Sequence, residues 1–289
     1  MSLAPLALAL LAVTLTAGAP RLMARQERFR RAPRAALVVW QAVALSGVVS
    51  GLAAAPLAVA VLAGGRAPRS AWAAAAALGL SAVVLGRLLW AGHVVGSRLR
   101  AARREHRLLV DALGEAVDDE VRVLAHPTPT AYCLPGLRRR VVLTEGTLRA
   151  LPPDQLAAVL AHERAHLRER HDLVLEFFTV LHRSAPRWLR VPAALHEVRL
   201  LVEVLADRAA RRATGPVPLA RALVALAGGT HPETALAATA DPSATRARMA
   251  LLAQDEAPAR LAAGMYTFAA AVLSAPGVVV ALALGSMRS

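Results

Sequence analysis

The sequence contains no lysine, so all 34 basic residues are arginine. It has one cysteine, Cys133, and aromatic residues make up only 3% of it. A single cysteine excludes a disulfide scaffold. The scarcity of rings leaves Ala, Leu and Val to supply the apolar mass. That mass is large: 56% of 289 residues are hydrophobic and 19% charged, which excludes a disordered chain. Acidic residues are nearly missing outside the middle of the chain. Residues 98–260 hold 24 Arg against 19 acids, whereas the remainder holds 10 Arg and one acid, Glu27. The net charge of +14 is therefore concentrated beside the apolar runs. A nucleic-acid-binding face would put it on a folded domain. The observed distribution matches the charge signal that orients membrane proteins, and no direct nucleic-acid partner is expected.

Four stretches reach the roughly 20 apolar residues that a bilayer-spanning helix needs: 3–19, 35–63, 71–97 and 261–285. No basic residue precedes Arg21, so the first lacks the charged start of a secretory signal and reads as a retained helix. Six arginines between Arg21 and Arg34 place the following loop in the cytoplasm and the N-terminus outside. By alternation, residues 64–70 turn outside, 98–260 lie in the cytoplasm, and the fourth helix ends in a short outside tail. The lipid bilayer is thus the first expected partner. Arg87 and His93 interrupt the third span near its cytoplasmic end, where long side chains reach the interface, and a structural role is expected for both.

The third helix is predicted to continue over 98–113 as an amphipathic stalk. Short β-prone runs follow at 121–124, 130–134 and 140–143, punctuated by Pro127, Pro129, Pro135 and Gly136, and predict a small antiparallel sheet. Helical patterning then covers 153–168, 172–182, 192–212, 217–228 and 242–254. The expected fold is a mainly α membrane protein. Residues 1–97 form three transmembrane helices, 98–260 a cytoplasmic α+β domain, and 261–289 the fourth helix and tail.

Within the first of those predicted helices the chain reads Leu160-Ala-His-Glu-Arg-Ala-His-Leu167. His162 and His166 are four apart, so both imidazoles leave one helical face and can hold one Zn²⁺. Glu163 stands beside the first ligand, placed to take a proton from water that the metal has acidified toward a pKa of about 7. Composition alone yields His-Glu-x-x-His in roughly one such chain per hundred. A catalytic zinc needs a third protein ligand and keeps a fourth position open. Glu203, in Glu203-Val-Leu-Ala-Asp207, would complete a two-His, one-Glu set. Asp207, four residues on, is then positioned to accept an N–H from a ligand imidazole. Glu197 and Glu176 are alternatives for the third ligand, each without an acid four residues later.

Four features fall in the order seen in membrane-embedded gluzincin metallopeptidases: Thr130-Ala-Tyr132, Val142-Leu-Thr-Glu-Gly146, the His162–His166 box and Glu203-x-x-Ala-Asp207. With three helices before the zinc domain and one after it, the chain resembles the BlaR/MecR antibiotic-sensor peptidases. Their extracellular penicillin-binding domain has no counterpart here, and Ser-x-x-Lys is missing. The resemblance implies a zinc endopeptidase with a gluzincin fold, acting on a protein or peptide substrate such as a BlaI-type repressor or the chain itself. In the related prenyl-protein and HtpX-like peptidases, a strand near the Ala-Tyr position pairs with the substrate backbone. Ala131 and Tyr132 are by that likeness candidates for the substrate groove, with a plain sheet role as the alternative. A housekeeping peptidase of the HtpX or prenyl-protein type and a catalytically silent scaffold are the other readings. His196, Arg208 and His231 are the candidates for a donor to a transition-state oxyanion. His171, five after His166, is read as off the ligand face, and Cys133 as a small buried hydrophobe.

Overall fold

The computed structural model describes residues 3–63, 70–136, 138–226, 242–254 and 257–286. It divides into two compact units: Met1–His93 with Val180–Glu197 and Ala257–Ser289, and Val94–Thr179 with Val198–Glu256. The first thus takes in residues 180–197, which the sequence reading counts with the cytoplasmic domain.

The first unit is built from apolar helices. Helix α1 (Ala4–Val13) passes through a wide turn at Thr14–Gly18 into α2 (Ala19–Met23). Pro20, which lacks an N–H and crowds the preceding turn, accounts for the widening. Helix α3 covers Pro33–Ala63, α4 Ser70–Leu113 and α11 Ala259–Ser286. Among the described residues, four helical stretches are long and apolar enough to cross a membrane: Ala4–Met23, Pro33–Val61, Ala71–Leu113 and Ala259–Ser286. They lie where the sequence predicts spans, and α4 includes the predicted stalk. Leu8, Leu57 and Ala283 pack α1, α3 and α11 together. Gly47 admits this approach, because a Cβ there would lie 2.8 Å from Thr16 Cγ2; small residues at such contacts are the usual means by which lipid-facing helices associate. The Ser46 hydroxyl donates to the Val272 carbonyl at 2.5 Å. Outward faces remain apolar, with Leu6, Leu10, Leu80, Leu89 and Leu282 exposed, as a lipid environment requires.

The second unit contains a four-stranded sheet of β1 (Glu115–Ala116), β2 (Val121–Leu124), β3 (Ala131–Leu134) and β4 (Arg140–Thr144). The strand order is β1-β2-β4-β3. Here the expectation of an antiparallel sheet needs correction, because β2 and β4 are parallel. Strands β3 and β4 form an antiparallel hairpin that is laid against β2 by its second strand, leaving β3 at the edge. Ala131 and Cys133 face a core shared with Val141, Leu143, Val159 and Leu167. Tyr132 and Leu134 face the other way, toward Val110 and Val142. All four β3 residues are therefore buried.

Helices follow in series: α5 (Glu145–Ala150), α6 (Pro153–Arg168), α7 (His171–Ser184), α8 (Pro192–Thr214), α9 (Pro216–Ala225) and α10 (Pro242–Leu252). Thr144 caps α5 by accepting from the Thr147 amide at 3.2 Å. Gly146 has no alternative at its position, since a Cβ would overlap the Pro127 carbonyl. This junction holds the entry to β3 close to β4.

Candidate metal centre

Helix α6 starts with Pro153 in its first turn, where a missing N–H costs nothing, and Asp154 faces the positive end of the helix dipole. Its inner face carries Ala158, Val159, His162, Glu163, Ala165 and His166, all buried. The helical period brings the Nε2 atoms of His162 and His166 within 3.1 Å of each other. Glu203 projects from α8 to the same point. Its Oε2 lies 3.5 Å from His162 Nε2 and its Oε1 3.4 Å from His166 Nε2. The three groups offer ligand atoms that all fall within 4.8 Å of one another. Glu163 is buried beside them, and its Oε2 has no hydrogen-bond partner among the described residues.

The charge distribution suits a cation at this point. Burial disfavours an imidazolium at His162, but the Asp207 and Glu203 carboxylates outweigh it and raise the pKa to about 10. Burial dominates at His166 and lowers its pKa to about 3, despite Glu203. Glu203 is held at about 2, since Arg248 and the imidazoles overcome the effect of burial. At neutral pH the imidazole pair thus carries one extra proton, on His162 between the Asp207 and Glu203 carboxylates, and a bound metal ion would displace it. Two imidazole nitrogens and a carboxylate are the donor set of a hydrolytic zinc site with an open position. Burial pushes the Glu163 carboxyl up from its ordinary value, most strongly of all its influences.

Supporting contacts surround these groups. Asp207 Oδ1 lies 3.0 Å from His162 Nδ1, the ring nitrogen that faces away from Glu203. Two residues here were missed in the sequence. Arg248 of α10 is 8% exposed and forks onto Asp207, with Nε donating to Oδ2 at 2.8 Å and Nη2 to Oδ1 at 2.7 Å. Its Nη1 lies 3.1 Å from Glu203 Oε2. His171 is the other: it stays outside the ligand set, as expected, and is a packing rather than a surface histidine, but its bond to a ligand was not foreseen. It is buried, and its Nδ1 shares a hydrogen bond of 3.0 Å with His166 Nδ1. The reason is local: α6 stops at Arg168, Arg170 takes a left-handed φ of 53°, and the chain turns back at His171.

The alternatives for the third ligand are engaged elsewhere. Glu197 forms a two-pronged pair with Arg30 at 2.8 and 2.9 Å, and Glu176 lies 3.9 Å from Arg103. His196 is exposed and Arg208 half-buried, and His231 is outside the described residues. Cys133 is fully buried in the core as expected. Ala131 lies on the sheet face toward α6, whereas the Tyr132 ring lies on the opposite face with its hydroxyl 2.8 Å from His106 Nε2.

Residues 99–200 match the profile of peptidase family M48. A curated relative from Thermoplasma acidophilum, described as a protease HtpX homolog, is 33% identical over 81 residues. That alignment covers 25% of this chain, which spans about a quarter (26%) of the relative's length. No solved structure matches. The similarity to peptidase family M48 therefore takes in the sheet, His162, Glu163 and His166, and stops just short of Glu203.

Proposed function

We propose that this chain is a membrane-bound zinc endopeptidase that cleaves protein or peptide substrates on the cytoplasmic side. The observation that carries this reading is the convergence of His162 Nε2, His166 Nε2 and the Glu203 carboxylate beside an unpartnered Glu163 oxygen. Zinc held by these three side chains supplies Lewis acidity, which acidifies water and polarises a carbonyl. Glu163 accepts the proton of the attacking water and delivers it to the amide nitrogen as the C–N bond breaks. Asp207 and His171 fix the rings of His162 and His166 through their remaining nitrogens. Arg248 balances the two buried carboxylates of α8.

Substrate binding is assigned to the edge of β3. Thr144 N donates to Thr130 O, so in this antiparallel pair the alternating pattern turns the backbone groups of Ala131 and Cys133 away from β4. Ala131 and Cys133 are 3% and 0% exposed, so a peptide strand adds there through main-chain hydrogen bonds only once this edge opens. Of the two groove candidates, Ala131 takes the role of backbone edge, together with Cys133, whereas Tyr132, paired to Val142 of β4, serves the sheet.

Two substrate classes fit. The M48 match and the HtpX homolog favour turnover of membrane proteins. Three apolar helices before the zinc residues and one after them favour a BlaR/MecR-like relay in which a BlaI-type repressor is cut. Cleavage assays on both substrates with the purified chain separate them. The test of the shared reaction is Glu163→Gln. It is expected to keep its zinc and lose about 10²–10⁴-fold in peptide hydrolysis, the span of general acid–base catalysis. Unchanged hydrolysis would refute the assignment of Glu163, and no hydrolysis by either protein would leave a silent scaffold.

A further inference from the structure

Residues 183–191 run from the end of α7 to the start of α8 and fall, up to Glu197, in the unit of apolar helices. They contain an exposed helical turn, Arg187–Leu189, in which Trp188 is 77% exposed. A tryptophan this open is unexplained by the packing of the unit. Arg183 and Arg187 flank it and are exposed as well. No acid occurs from 183 to 196, and Glu197 is neutralised by Arg30.

The same segment is tied to an apolar span. Arg87 Nε donates to the Ser184 carbonyl at 3.0 Å. Arg87 stands about 24 Å along α4 from Ala71 at the helical rise, near the far edge of a hydrocarbon core of about 30 Å. Trp90, one turn further, is exposed too. The carbonyls at the end of α7 are satisfied from within the segment: the Arg190 side chain donates to the Ala185 carbonyl at 3.1 Å and the Arg183 carbonyl at 3.4 Å. Irregular backbone at the border of a low-dielectric phase needs such partners. Exposed indole, adjacent arginines and capped carbonyls are the combination found at headgroup level.

We propose that residues 183–191 form an interfacial anchor, with Trp188 seated at the headgroup–acyl boundary and Arg183 and Arg187 on the phosphates of anionic lipids. This rests on the reading of α4 as a membrane span. It gives Arg87 a second role, tying the anchor to that span.

The test uses the full chain in nanodiscs of phosphatidylcholine and phosphatidylglycerol carrying brominated acyl chains, which quench indole within the bilayer. Trp188 and Trp90 emission are obtained by subtracting Trp188→Phe and Trp90→Phe from wild type. Trp188 is expected to be quenched by brominated lipid to a degree comparable with Trp90, and several-fold less by acrylamide than free indole. Brominated phosphatidylglycerol should quench it more than brominated phosphatidylcholine. That preference should fall about fivefold for each of Arg183→Ser and Arg187→Ser. If Trp90 is quenched by lipid while Trp188 answers only to acrylamide, the anchor is wrong and the span stands. If neither is quenched by lipid, the span falls and the anchor with it. Quenching of Trp188 with no lipid preference overturns the anionic-headgroup assignment.

Discussion

Replacing Arg248 by methionine keeps much of the side chain's volume and removes its charge and its three contacts with Asp207 and Glu203. Both carboxylates are buried, at 3% and 5% exposure, and cannot recover those interactions from water. Removing one partner of a buried charge network costs about 3–5 kcal/mol, most of it the penalty for the charges left behind. For a chain of this size that corresponds to a fall in unfolding midpoint on the order of 10 °C. Zinc brings positive charge to the same carboxylate, so it should offset part of the loss. The zinc-induced rise in midpoint is therefore larger in Arg248→Met than in wild type. Arg248→Lys, with charge but no fork, should fall between them. The assay is thermal unfolding of the full chain in detergent, with chelator and with zinc. An unchanged midpoint in chelator, or equal zinc shifts in both proteins, would refute the charge-balance argument.

Two further predictions concern the imidazoles. His171→Ala removes the group bonded to His166 Nδ1, and zinc affinity measured against a competing chelator should fall about 10–100-fold; no change would mean that His171 only fills space. His162, with its pKa raised to about 10, is protonated at neutral pH in the zinc-free chain and must be neutral to bind metal. Zinc uptake at pH 7 should thus release about one proton per ion. Apparent affinity should rise about tenfold per pH unit until pH nears that pKa, as the competing proton is lost. Calorimetry in buffers of differing ionisation heat checks this, and uptake without proton release would contradict it.

How far the chain could be read in advance follows from the range of the interactions. The apolar spans were legible because length and composition alone decide whether a helix can cross a bilayer. His162, Glu163 and His166 were legible because they lie within one helical turn, and Glu203 because a second acidic pair at the same spacing marked its helix. Arg248 carried no such mark. It is one arginine among 34, on a helix 41 residues beyond Asp207, and only packing brings it there. The bond from His171 to His166 was not legible because it depends on the turn after α6, where Arg170 adopts a left-handed backbone. Three of the four strand positions emerged from β-prone residues and prolines, the two-residue β1 carrying no such signal, but alternation carries no information on strand direction, so the parallel pairing of β2 and β4 was invisible. The side of the sheet that Tyr132 faces was hidden for a related reason, since β3 is buried on both faces and shows no polar–apolar alternation.

The central claim is that Glu203 joins His162 and His166 around one zinc ion. Metal analysis of the purified chain beside its Glu203→Ala variant tests this most directly, after both are exposed to zinc and dialysed against a weak chelator. The account predicts about one zinc per chain in the wild type and little or none in the variant. Equal zinc in the two would contradict it.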